Sequence, residues 1–151
     1  IFFNGWENYK TEIGRSIYSF DADQVHFVIL DSANGLLGEK QLRWLDKDLS
    51  AYDNGLVMVV SHFPPWNGFF SNIFKMASDE EAAVLKDILY RHNVDYMVAG
   101  HYHGFAENFI GRTRYLVTGA ANDINDPGQK QHYLRFTVNG ASLTFQKVEL
   151  D

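Results

Sequence analysis

Three apolar segments, separated by two segments with helical spacing, constrain the fold of this chain more than any other feature. The apolar segments cover residues 24–31, 55–60 and 94–99, and the helical ones cover residues 38–51 and 78–92. Continuous β-branched and aliphatic runs are typical of strands that are covered on both faces. A strand, a helix and a second strand in succession form a crossover with parallel strands. The sequence therefore predicts a βαβαβ core with three parallel strands, which places the chain in the α/β class.

Both predicted helices have an apolar face and a defined start. In the first, apolar residues recur at i, i+3, i+7 and i+10: Leu42, Leu45, Leu49 and Tyr52. The second begins with Ser78 and Glu81 in the S-x-x-E spacing of a capping box, and its inward face is Ala82, Leu85, Leu89 and His92.

The remaining segments are typical of antiparallel β-structure. Residues 15–20 are expected to form a hairpin with residues 24–31, and residues 105–110 pair with 113–117. Residues 131–138 and 141–150 flank Asn139-Gly140, a strong hairpin signal. Two loops remain, residues 63–77 and 119–130.

Histidines follow two of the three central strands. "VMVVSHFPP" places His62 after one strand, and "VDYMVAGHYHGF" places His101 and His103 after the next. Ligands of open parallel sheets bind beyond the carboxyl ends of the strands, and imidazole is the commonest transition-metal ligand. We expect Gly100 and Gly104 to let the backbone turn, so that both rings reach one metal or each reaches one ion of a pair about 3.5–4 Å apart. We therefore predict these three histidines as metal ligands.

The other three histidines have simpler explanations. His26 is predicted to be packed on its strand, His92 to cap a helix whose dipole favours a cation, and His132 to be exposed at the start of the last hairpin. We expect Asp31 to cap the turn that follows its strand rather than to bind metal.

Composition and motifs exclude several classes of function. The chain has 13 basic and 19 acidic residues, a net charge of −6, which argues against nucleic acid as a partner because phosphate backbones need clustered Lys and Arg. No apolar run reaches the roughly 18 residues of a membrane span. There is no cysteine, no G-x-S-x-G elbow and no P-loop spacing. The compartment is left open, as is a signal peptide before Ile1.

Five stretches of this chain resemble, in order, the C-terminal half of the calcineurin-like metallophosphoesterases, which include the purple acid phosphatases. They are "YSFDADQVHFVILDS", "LGEKQLRWLDKDL", "VMVVSHFPP", "VDYMVAGHYHGF" and "YLVTGA", and the resemblance covers about residues 9–150. It implies a two-sheet α/β sandwich flanked by helices, with two divalent or trivalent metal ions (Mn, Fe or Zn) at the sheet ends. It also implies that His62 and His101 bind one ion and His103 the other.

The chain departs from the family pattern in one respect. The Asp-x-His, Gly-Asp and Gly-Asn-His segments, which would supply the bridging Asp, an Asn ligand and the His that assists the leaving group, do not occur. We therefore predict that residues 1–151 are one domain that forms the C-terminal part of a larger one. The predicted partners are the missing N-terminal half and a small phosphoester, and the isolated chain is expected to be inactive.

Substrate contacts are less clearly marked, and two other functions stay open. Candidate contacts are drawn from the aromatic loop and from positions near the histidines: Trp66, Asn67, Tyr102, Asn108 and Arg112. One alternative function is a mononuclear zinc hydrolase that uses the three histidines alone. The other is a non-catalytic half-domain that binds a partner.

Overall fold

The computed structural model of the chain describes residues 5–53, 55–66, 74–119 and 128–150. Its helices are α1 (Gly5–Glu12), α2 (Glu39–Ala51) and α3 (Asp79–Arg91). Eight strands are interspersed with them in the following order along the chain: β1 (Tyr18–Ala22), β2 (Val25–Ile29), β3 (Leu56–Val60), β4 (Tyr96–Ala99), β5 (Ala106–Ile110), β6 (Thr113–Val117), β7 (His132–Asn139) and β8 (Ser142–Glu149).

Six strands form one mixed sheet in the order β1-β2-β3-β4-β6-β5, and β7 and β8 form a second sheet of two strands. Strands β2, β3 and β4 are mutually parallel, which confirms the predicted βαβαβ core. Strand β6 is also parallel to β4, while β1 and β5 pair antiparallel at the two edges. The carboxyl ends of β2, β3, β4 and β6 therefore lie along one edge of the large sheet.

Helices α2 and α3 cover one face of the large sheet. Leu45, Leu85 and Leu89 from the two helices are fully buried in one cluster with Val59 and Met97 from the strands. This burial follows from the apolar spacing in the helical segments, because removing apolar surface from water is the main stabilising contribution to a core.

The β7–β8 hairpin lies on the opposite face of the sheet. The hydroxyl of Tyr96 on β4 donates to the carbonyl of Leu143 at 2.9 Å, and the same ring packs edge-on against Phe136 at 5.5 Å. The side chain of Arg114 on β6 lies over the ring of Phe145 at 4.5 Å. The architecture is therefore an α/β sandwich: helices, a six-stranded sheet and a two-stranded sheet.

Several local expectations differ from the structure. Helix α1 was not predicted, and the closing turn of the last hairpin is Gly140-Ala141, because Asn139 pairs with Ser142. Ser78 accepts a hydrogen bond from the backbone N–H of Glu81 at 3.1 Å, as expected for a helix cap. The carboxylate of Glu81, however, accepts from the backbone N–H groups of residues 37 and 38, which ties α3 to the preceding loop.

The prediction for His132 was wrong. Its side chain is buried, with 1% exposure, because the first residue of β7 turns inward beneath the hairpin. Its Nδ1 lies 3.0 Å from the carbonyl of Lys130, and its ring packs edge-on against Phe105.

Among the described residues, no helix combines the length and the apolar character needed to cross a membrane.

Candidate metal centre

Two of the three predicted ligands meet at the carboxyl edge of the large sheet. His62 lies two residues beyond β3, and His101 lies two residues beyond β4. The backbone N–H of Gly100 donates to the carbonyl of His62 at 2.9 Å, which holds the two strand ends side by side. The Nε2 atom of His62 and the Nδ1 atom of His101 are 3.1 Å apart.

This separation is that of a hydrogen bond between the two rings, and it also fits a shared cation. Zinc–nitrogen bonds of about 2.0–2.1 Å, at angles between octahedral and tetrahedral, place two ligand nitrogens roughly 3–3.4 Å apart. Burial, followed by the nearby imidazoles of His101 and His103, lowers the pKa of His62 from its ordinary value. The ring is therefore neutral at neutral pH, and only the neutral imidazole has a lone pair for a metal.

Aromatic rings fix the position of the His101 imidazole. The ring of Phe63 lies against it with 3.8 Å between centroids, and Phe74 approaches it edge-on at 5.8 Å. Phe74 also packs edge-on against Tyr102. These contacts restrict the motion of His101, and a ligand that is already ordered loses less conformational entropy when it binds an ion.

The histidines themselves, and not the flanking glycines, make the backbone turn. His101 and His103 have φ values of 68° and 56°, while neither Gly100 nor Gly104 has a positive φ. The left-handed region is costly for residues other than glycine, and residues held there often lie at functional sites. Close packing requires glycine at position 104 but not at position 100. A Cβ at Gly104 would lie 2.6 Å from the ring of Tyr102, and a Cβ at Gly100 would lie 3.6 Å from Nδ1 of His62.

His103 does not join the other two in a three-ligand cluster. In residues 5–53, 55–66, 74–119 and 128–150, no three side chains of His, Cys, Asp or Glu are arranged as a metal-binding group. The mononuclear zinc hypothesis, which needs all three imidazoles at one ion, therefore gains no support from the geometry.

The predicted substrate contacts are scattered through the fold. Tyr102, between His101 and His103 in the chain, is half-buried. Trp66, in contrast, is 8% exposed and packs against Tyr115 in the core. Asn108 lies in the middle of the edge strand β5, and its side chain accepts a hydrogen bond from the next backbone N–H. Arg112 pairs with Asp95 at 3.3 Å. This pair lies at the amino end of β4, whereas His101 follows the carboxyl end of the same strand. Asn67 lies outside the described residues.

The structure confirms that His26 is packed and that Asp31 caps a turn. His26 is buried, and its two ring nitrogens contact Asp21 and Asp48 at 2.6 and 2.9 Å. The carboxylate of Asp31 accepts from the backbone N–H of Ala33 at 3.1 Å, as expected for a residue that caps a turn. His92 is the C-cap residue of α3, and its Nε2 lies 2.7 Å from a carboxylate oxygen of Asp46.

One residue of the site was missed in the sequence. Ser32 follows β2 at the same edge of the sheet, and its hydroxyl accepts hydrogen bonds from the backbone N–H groups of His62 and Phe63, both at 3.0 Å. The available signal was a polar residue shortly after a central strand, at the edge where the histidines lie.

Comparison with known proteins supports the resemblance seen in the sequence. The chain is 35% identical over 94 residues to "Purple acid phosphatase 23" of Arabidopsis thaliana, a match that covers 58% of this chain and 20% of that protein. It is 32% identical over 98 residues to a "Probable cyclic nucleotide phosphodiesterase" of Fibrobacter succinogenes, covering 62% of this chain and 37% of the relative. The chain thus spans about a fifth and just over a third of these relatives. No protein-family model matches it.

A solved structure shows the same fold. The crystal structure of a dimetal phosphatase from Danio rerio superposes with a TM-score of 0.67 at 16% identity, covering 89% of this chain and 59% of that one. At this level of identity the match concerns the fold.

Proposed function

We propose that this chain belongs to the calcineurin-like metallophosphoesterases, on the strength of its similarity to a purple acid phosphatase and a probable cyclic nucleotide phosphodiesterase. We propose further that it supplies three histidine ligands to a dinuclear metal centre that hydrolyses phosphoesters. His62 and His101 would bind one ion, and His103 would bind its neighbour. The observation that carries the proposal is the 3.1 Å separation between the ring nitrogens of His62 and His101 at the carboxyl edge of the sheet.

The division of the three histidines between two ions follows the family resemblance. It is supported by the nearness of His103 to His62, since the imidazole of His103 is among the causes that lower the pKa of His62. The ions would be divalent or trivalent (Mn, Fe or Zn), since imidazole suits Fe and Zn, and the bridging carboxylate expected from the other half of the domain suits Mn.

The role of these side chains in the reaction follows from their charge and packing. The chemistry that a bound pair of ions supplies is a nucleophile at neutral pH and neutralisation of the charge that develops on the phosphoryl oxygens. His62 stays neutral and so remains a ligand, and Phe63 holds the His101 ring in place. Tyr102, which lies between His101 and His103 in the chain, is the predicted contact that we propose to touch a substrate. The net charge of −6 favours a small phosphoester over a nucleic acid.

A second half of the domain is proposed as a partner, supported by an apolar surface beside the hairpin. On β1, Tyr18 and Phe20 are 38% and 45% exposed, and Phe20 stacks on Phe27 of β2 at 5.1 Å. These rings lie on the face that carries the β7–β8 hairpin, and both stay more than a third exposed although Phe27 of β2 packs in the cluster that the hairpin covers. We propose that residues outside this chain cover Tyr18 and Phe20 and supply the other ligands of the two metal ions. The isolated chain should therefore show negligible turnover.

Paramagnetic Mn²⁺ tests the ligand assignment directly. Titrated into ¹⁵N-labelled chain, it should broaden the amide signals of residues 62, 100 and 101 first, and His62→Ala should abolish that selective broadening. His92→Ala is the matched control, because this histidine pairs with Asp46 away from the site. Equal broadening in wild type and His62→Ala would refute the assignment.

Activity is tested on a longer protein that also includes the sequence encoded before Ile1. It should hydrolyse p-nitrophenyl phosphate or its bis ester with Mn²⁺ supplied, and His62→Ala and His101→Ala should each lower the rate at least roughly 100-fold, since they remove a ligand. Binding of Mn²⁺ without any hydrolysis would favour the non-catalytic half-domain instead.

A further inference from the structure

We infer that Ser32 is a positioning residue for the metal centre and that its hydroxyl sets the geometry of both the His62 and the His101 imidazoles. The inference rests on the proposed function, because it concerns how these two residues are held as ligands. Ser32 lies three residues beyond β2 and is 1% exposed. No direct contact between Ser32 and an ion is invoked.

The serine hydroxyl continues the hydrogen bonding of the sheet beyond the end of the strands. The last backbone contact between the two strands joins the N–H of Leu30 to the carbonyl of Val60 at 2.8 Å. After that point the N–H groups of His62 and Phe63 turn toward the serine hydroxyl instead, each at 3.0 Å. A hydroxyl oxygen has two acceptor lone pairs, so one side chain can satisfy both donors.

These two bonds act on both ligands. The main chain of His62 is held on one side through its N–H by Ser32 and on the other through its carbonyl by Gly100, at 2.9 Å. The direction of its Cα–Cβ bond is thereby set. The second bond holds Phe63, whose ring lies 3.8 Å from the ring of His101. One hydroxyl therefore positions one ligand through its backbone and the other through a packed ring.

Ser32 is itself held on a rigid turn. The side-chain amide of Gln41 accepts from the N–H of Asp31 at 2.7 Å and donates to the Asp31 carbonyl at 2.8 Å. The carbonyl of Ser32 accepts from the N–H of Gly35 at 2.8 Å. The hydroxyl thus has a fixed position from which to orient the ligands, as expected of the residues that support a metal site.

The test compares Zn²⁺ affinity and stability in four variants of the chain. Isothermal titration with Zn²⁺ should show that Ser32→Ala binds roughly 10- to 100-fold more weakly than wild type, the usual effect of removing a residue that orients a ligand. Ser32→Thr keeps the hydroxyl and should recover most of the affinity. His62→Ala removes the ligand itself and shows whether the bound zinc uses this site.

Ser78→Ala is the matched control for a loss of stability alone. The Ser78 hydroxyl also accepts from a backbone N–H, that of Glu81, but at the start of α3. Its variant should melt at a lower temperature than wild type and bind Zn²⁺ equally well. Amide exchange adds a measurement without metal: residues 62 and 63 should exchange at least tenfold faster in Ser32→Ala, and not in Ser78→Ala.

The two proposals fail in different ways. If Zn²⁺ binds wild type and Ser32→Ala equally but His62→Ala more weakly, the positioning role is overturned while the ligand assignment stands. If His62→Ala binds Zn²⁺ as wild type does, the assignment fails, and the role of Ser32 fails with it. An equal loss of affinity in Ser78→Ala and Ser32→Ala would show an effect of general stability and would also overturn the positioning role.

Discussion

The two glycines on either side of the His-Tyr-His segment should respond differently to the same substitution with alanine. A Cβ at Gly104 would lie 2.6 and 2.9 Å from two ring carbons of Tyr102, a separation that forces the ring to move. A Cβ at Gly100 would have its nearest neighbour, the carbonyl oxygen of Thr118, at 3.4 Å, which is an ordinary contact. Neither glycine has a positive φ, so the backbone accepts alanine at both positions.

The expected free energies follow from these distances. Overpacking costs about 1–3 kcal/mol, and replacing glycine with alanine returns about 0.4–1 kcal/mol by restricting the unfolded chain. Gly104→Ala should therefore lower the free energy of unfolding by roughly 0.5–2 kcal/mol. Gly100→Ala should leave it within about 0.5 kcal/mol of wild type, or raise it slightly.

Urea unfolding of single and double variants measures both values and identifies the cause. In a chain that already carries Tyr102→Ala, the ring is gone and Gly104→Ala should raise stability by about 0.4–1 kcal/mol, which gives a coupling energy of about 1–3 kcal/mol in the double-mutant cycle. Equal costs at the two glycines, or a cost at Gly104 that is the same with and without the Tyr102 ring, would refute this account of why glycine occupies these positions.

Two further predictions concern His26 and His103. Burial acts to lower the pKa of His26, but hydrogen bonds to Asp21 and Asp48, with their charges, outweigh it and leave the pKa raised above 6.5. The protonated ring therefore stabilises the fold fully below pH 6.5, its ordinary value in the unfolded chain, and this contribution is lost as the pH rises through the higher pKa of the folded state. Urea unfolding from about pH 6 to 9 should show this fall in wild type and a flatter profile in His26→Gln; identical slopes would contradict it. Since His103 has a φ of 56°, His103→Asn should unfold thermally at or above the wild-type temperature, while His103→Val should lose roughly 1–2 kcal/mol; a more stable Val variant would argue against strain.

The elements of the fold could be predicted because their signals are local. The apolar spacing of α2 placed Leu42, Leu45 and Leu49 on its buried face, and the structure buries all three. Helix α1, "GWENYKTE", was missed because it is short and has no repeated apolar face. The burial of His132 was missed for a different reason: it depends on where the β7–β8 hairpin docks, which is a contact between distant segments.

The candidate site also has features that the sequence predicted and features that it did not. Strand ends that carry histidine were visible in the sequence, and the parallel core placed His62 and His101 at one edge. The position of Arg112, in contrast, could not be predicted from local sequence. Because β6 pairs parallel with β4, the turn between β5 and β6 points to the amino end of the strands and carries Arg112 away from the histidines.

The sequence alone determined the α/β core and the edge of the sheet where His62 and His101 lie, because side-chain periodicity and strand ends depend on neighbouring residues. Only the tertiary structure decided that two imidazole nitrogens lie 3.1 Å apart and that His101 and His103 take left-handed backbone conformations. It also decided that the hydroxyl of Ser32 accepts from the backbone N–H groups of His62 and Phe63. These features depend on which strands pair and in which register, and pairing joins residues some thirty to forty positions apart. Local propensity carries no information about contacts at that range.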